Sequence, residues 1–140
     1  MYPLYAKCDE LGVPVAMQVG HVLEAMPSEH GRPMQLDRIA CDFPSLKIVG
    51  THTGWPWVDE MIAVATKWPN VYLNISAWLP KYFGAPLLQF MRSKTGSDKV
   101  LFGSNGLSWE RYLEEMDRLE IAEDRAAKIL RGNAQRIYGI

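Results

Sequence analysis

Three residues set the chemistry open to this chain: His21, His52 and Asn105. His21 closes the stretch "VAMQVGH", His52 lies in "GTHTGWPW", and Asn105 follows "VLFGS". Each comes just after a short apolar run, the pattern of a buried strand. Neutral imidazole binds zinc and similar ions, and an unperturbed pKa of about 6.5 suits proton transfer near neutrality. Asparagine neither carries charge nor takes a proton at that pH. A lone histidine at a strand end is ordinarily a hydrogen-bonded structural residue. Two at matching positions after neighbouring strands make a functional role, metal binding or acid–base work, nearly as good a reading as the structural one. A catalytic zinc site takes three protein ligands and leaves a position open for water. His21 and His52 supply two, and Asn105 adds a weak amide oxygen. The set is one carboxylate short.

Other polar groups fall at the same strand ends: Gln18 after the first, Asn74 and Ser76 after the third, and Ser104 beside Asn105. The loop "GHVLEAMPSEHGRP" carries Arg32, a candidate to clamp a substrate carboxylate bidentately, although an ordinary surface arginine is the plainer reading. Its Glu24, Glu29 and His30 read as solvated. Trp55, Trp57, Trp68, Trp78 and Trp109 sit mostly in or beside turns. They either cover the ends of a sheet or line the mouth of a pocket. Trp55 and Trp78 are the candidates for substrate contact.

The elements that must position these groups alternate. "YPLYAKCDEL" has a helical apolar face, closed by Gly12 as a C-cap. Strands are expected over residues 13–19, in "LKIVG", in "NVYLNIS" and in "KVLFGS". Helices follow in "LDRIACDFP", in "WVDEMIAVATKWP", in "PLLQFMRSKTG" closed by Gly96, and in a two-helix tail. Ser108 is the expected cap of the first tail helix. The strands recur at roughly 24 to 32 residues, the spacing of βα units in a parallel sheet. Their interiors are apolar on both faces, as a helix-covered parallel sheet requires. A complete (β/α)₈ barrel needs about 250 residues, so the choice lies between a small open sheet and half a barrel.

Length and composition agree with one domain over residues 1–140: 48% of residues are hydrophobic and 22% charged. A net charge of −1 gives no basic footprint for nucleic acid or an anionic membrane. No apolar run approaches the roughly 20 residues of a membrane span, and "MYPLYAKCDELG" shows no basic leader. A soluble cytoplasmic protein is the expectation. Cys8 and Cys41 are read as buried, reduced thiols.

The segments "LKIVGTHTGWPWVDEMIAVATKWPNVYLNISAWLPKY", "DKVLFGSN" and "ILRGNAQRIYGI" resemble the C-terminal half of the amidohydrolase-related family. That family contains aminocarboxymuconate semialdehyde decarboxylase and related decarboxylases, hydratases and lactone hydrolases. The resemblance extends over essentially all 140 residues and implies a parallel (βα)₄ half of a TIM-type (β/α)₈ barrel, with C-terminal helices added. It implies one divalent metal, zinc foremost, and a small carboxylated substrate. His21 matches a metal-ligand histidine. His52 matches the histidine that polarises substrate or activates metal-bound water. Asn105 falls where the family has an aspartate that is both metal ligand and proton acceptor.

The departures matter as much. These 140 residues contain no H-x-H pair, which in the family supplies two metal ligands from the first strand. Gly106-Leu107-Ser108 runs into a helix where the family continues through an aromatic and a proline. Two readings follow: an enzyme whose remaining ligands come from a separate N-terminal half, or a non-catalytic half-barrel, either a binding or assembly module or a degenerate fragment. Half a barrel exposes two strand edges and an inward apolar layer, so a homodimer or a second chain is expected as partner.

Overall fold

A computed structural model describes all 140 residues. Helix α1 (Tyr2–Leu11) leads into β1 (Val15–Gln18), and α2 (Gln35–Asp42) into β2 (Ile48–Thr51). Then come α3 (Val58–Lys67), β3 (Val71–Asn74), α4 (Ala85–Arg92), α5 (Lys94–Ser97) and β4 (Val100–Leu101). The tail holds α6 (Trp109–Asp117), α7 (Glu123–Ala127) and α8 (Asn133–Tyr138). The strands form one sheet in the order β1-β2-β3-β4, every pair parallel. The parallel βα half-barrel expected from the sequence is the observed architecture.

Local signals explain most boundaries. Gly12 ends α1 in the left-handed region at φ 65°. The Ser108 side chain accepts from the Arg111 amide and starts α6. Strand bounds are tighter than expected: β1 begins at Val15 and β4 has two residues. The helix expected to run to Gly96 instead breaks at Ser93, whose extended backbone ends α4 and whose Oγ accepts from Gly96 N to cap α5. Gly96 therefore lies inside α5. A Cβ there would stand 1.8 Å from the Phe90 carbonyl oxygen, so its missing side chain lets the two turns meet. The second tail helix is interrupted by a π-turn over Lys128–Gly132.

Alternation along the strands splits the sheet into two faces. Ile48, Val71, Leu73 and Val100 point to the helical layer, where Met61, Leu87, Met91 and Tyr112 cover them. On the opposite face Val49, Tyr72 and Leu101 form a second cluster with Ile137 of α8. An inward apolar layer lying open was the expectation, and it is corrected here: the C-terminal helix folds beneath the sheet and buries it. Lys99 pins the same end. Its Nζ donates to the carbonyls of Trp68, Pro69 and Val71 at 2.8, 2.6 and 3.1 Å, and burial lowers its pKa to about 8. The cysteines are also corrected: Cys41 is exposed and Cys8 only half-buried. No helix is long and apolar enough to cross a membrane.

Tyr112 ties the helical layer to the end of β3. Its ring is wholly buried, and its hydroxyl donates to the Ile75 carbonyl at 2.7 Å. Tyr112→Phe leaves that carbonyl buried without a partner, at a cost of about 1–3 kcal/mol. The expected outcome in urea unfolding is a lower midpoint with an unchanged m-value.

Candidate functional site

Residues on the inner face change character toward the strand ends. Thr51 and Asn74 stand two positions beyond the apolar Val49 and Tyr72 on β2 and β3, and Gln18 pairs with Thr51 from β1. This polar row opens into a cleft of about 450 Å³ at the C-terminal ends of the strands, lined by Gln18, His21, Glu24, His52, Trp78 and Asn105 among others. Such a rim is where parallel α/β folds carry chemistry.

His52 is held by a relay that starts just after β4. The Asn74 amide donates to the Phe102 carbonyl at 3.4 Å, and its Oδ1 accepts from the Ser76 amide at 2.8 Å. Ser76 Oγ lies 3.2 Å from His52 Nδ1. Gly103 makes room for this, since a Cβ there would come within 2.7 Å of Asn74 Oδ1. The backbone at His52 is left-handed, φ 68°, as it is at Thr53, Ala77 and Asn105. Non-glycine residues rarely adopt that region, and they cluster here at one rim.

His21 is held by glycine contacts. Gly20 N donates to the Gly31 carbonyl, and His21 N donates to the Trp55 carbonyl, both at 2.6 Å. A Cβ at Gly31 would meet the Gly20 oxygen at 2.3 Å, and one at Gly20 the Trp55 oxygen at 2.4 Å. The His21 ring stands edge-on to Trp55 at 5.8 Å, with Nδ1 3.0 Å from Ser28 Oγ. Ser28 Oγ also accepts from the Val22 amide at 3.2 Å.

His21, His52, Asn105 and Trp78 thus meet in one cleft. Trp55 adjoins it, its ring 5.1 Å from Trp78. The two indoles separate the cleft from an aromatic one of about 400 Å³, lined by Tyr82, Phe83 and Leu87 with Asp59 at its edge. Arg32 is not brought in: it pairs with Glu60 and stacks over Trp57 at 5.5 Å. The guanidinium holds the Glu60 carboxyl below the usual range, so Arg32 is already engaged by an anion of its own chain. Ser28 went unassigned in the sequence reading, and Glu24 was read only as a solvated loop residue. Ser28 lies seven residues from His21 in a loop with no periodicity, and Glu24 carries no positional signal.

No three His, Cys, Asp or Glu residues converge closely enough to hold a metal ion. Glu24 lines the cleft with both histidines, and Asn105 offers only a neutral amide. The residues present do not fit a closed metal centre.

The sequence pattern of the amidohydrolase family matches residues 1–140. An uncharacterised TIM-barrel protein of Bordetella bronchiseptica is 38% identical, with a TM-score of 0.87 over 99% of this chain and 50% of that one. Dihydroorotase from Campylobacter jejuni shares the fold at 20% identity and a TM-score of 0.69, over 99% of this chain and 51% of that one. Amidohydrolase 2 from Bifidobacterium longum subsp. infantis does so at 18% and 0.67, over 97% and 53%. No curated protein matches the chain in sequence. The chain spans about half the length of these solved structures.

Gly31→Ala should force the Gly20 carbonyl away and cost about 1–3 kcal/mol, typical of overpacking. Thermal denaturation reads the loss, and displaced His21 ring resonances in NMR locate it. A whole-length match of this kind, on a half-barrel whose polar rim carries both histidines, places the chain in the amidohydrolase family.

Proposed function

We propose that this chain carries one half of an amidohydrolase-type active site, for hydrolysis or decarboxylation of a small carboxylated substrate. The opening of His21, His52 and Asn105 into one cleft carries the reading. In it, His52 touches substrate, and Trp55 and Trp78 wall the space where its apolar body lies. Arg32 serves the substrate only by leaving Glu60, so we assign it to the loop instead. Zinc or a similar divalent ion belongs to the same reading as the family's general cofactor, and it needs ligands beyond those these residues converge. Activity of the 140 residues alone is therefore impaired.

Elemental analysis of protein purified without chelators or an affinity tag tests this. Zinc should fall well below one ion per chain, and Asn105→Asp should raise both occupancy and zinc affinity by calorimetry. A full equivalent in the unsubstituted chain overturns the impaired reading. An unchanged affinity in the variant overturns the assignment of Asn105 to a metal site.

A second reading, a non-catalytic half-barrel for binding or assembly, is favoured by Asn105 itself. An amide cannot accept the proton that the corresponding aspartate takes. Both readings call for a partner, because β1 and β4 are sheet edges. We propose a homodimer, or a separate N-terminal half, joined along these edges. Sedimentation at low micromolar concentration should show a dimer of the purified chain, and a compact monomer leaves only the second chain as partner.

A further inference from the structure

His52 has two ring nitrogens, and what it can do depends on which one carries the proton. Its Nδ1 faces Ser76 Oγ at 3.2 Å, while Nε2 has no partner within the protein and the ring lines the cleft. Ser76 is buried at 6% exposure, and its backbone amide is already spent on Asn74 Oδ1. The one polar atom bonded to its hydroxyl is His52 Nδ1.

A buried hydroxyl proton requires an acceptor. Were Nδ1 to donate to Oγ, the Ser76 proton would be left with none. With Ser76 donating, both the hydroxyl proton and Nδ1 are satisfied, and the Nε2–H is left facing the cleft. We infer that Ser76 is the positioning residue for His52: its hydroxyl donates to Nδ1 and keeps the ring proton on Nε2. His52 then turns a fixed N–H donor toward the cleft instead of a base.

This inference rests on the proposed active site and narrows what it takes. A fixed N–H donor suits an oxygen that bears or gains negative charge, such as a carboxylate or a polarised carbonyl. Gln18 and Asn105 line the same cleft and add amide N–H donors to its wall. The relay from Phe102 through Asn74 to Ser76 supplies the rigidity that such a donor needs.

Long-range proton–nitrogen NMR on ¹⁵N-histidine-labelled protein, at a pH where the imidazoles are neutral, tests it without metal or substrate. His52→Gln assigns the signal by removing it, and His30 in its loop is the internal reference. The unsubstituted protein should show a protonated Nε2 and a hydrogen-bonded, imine-type Nδ1. Ser76→Ala should populate the Nδ1–H form, which moves the averaged Nδ1 signal upfield and the Nε2 signal downfield. A protonated Nδ1 in the unsubstituted protein overturns the inference, as does an unmoved Nδ1 in the variant. Should the variant not fold, the spectrum of the unsubstituted protein decides alone. Neither readout depends on turnover or zinc, so the tautomer and the proposed function fail separately.

Discussion

A parallel sheet has to be covered on both faces, and most of what is peculiar to this molecule follows from how it meets that demand. Connections between parallel strands place helices on one side only when the sheet curves toward a barrel. In a closed barrel the other face is filled by side chains from the remaining strands. The four strands described here meet the demand in another way. The chain covers Val49, Tyr72 and Leu101 with Ile137 from its own last helix. Around that plug Lys47 donates to the Ile137 carbonyl, and Arg136 stacks over Tyr72 at 5.5 Å. Under β2, β3 and β4 the floor is apolar and buried, and the polar row lies above it.

The upper end is organised by hydrogen bonds and close backbone approach instead of apolar packing. Asn74, Ser76 and Gly103 fix one histidine, and Gly20, Gly31 and the Trp55 carbonyl fix the other. Neither device buries much surface. Both set direction, which is what a reacting or recognising group needs. The donor set assembled in this way is rich in neutral amides and imidazoles and poor in converging carboxylates. Its chemistry therefore leans toward holding an oxygen over holding an ion.

Much of the fold was legible because its signals are local. Apolar runs such as "LKIVG" and "NVYLNIS" sit where strands form, and Gly12 and Ser108 mark helix ends by their own chemistry. The break at Ser93 was not, because it depends on Gly96 meeting the Phe90 carbonyl, a contact no periodicity encodes. The covered inner face was missed for a similar reason. Ala134 and Ile137 form an ordinary helical stripe, and nothing in it says that the helix turns beneath the sheet. In the site, His21, His52 and Asn105 could be placed at strand ends from the pattern alone. Ser28 could not, because its position depends on the path of a loop, and neither could the pairing of Arg32 with Glu60, which is 28 residues away.

The paired glycines have a mechanical consequence. Gly20 is bonded to Gly31, and the next residue is bonded to Trp55, so the loops after β1 and β2 share one backbone junction. In barrel proteins each such loop is usually free to drift on its own, which lets new specificities arise piecemeal. These two cannot drift independently. A ligand that pushes on the Trp55 indole also loads the backbone of His21, and an insertion in either loop has to be absorbed by both. The pair behaves as a single jaw.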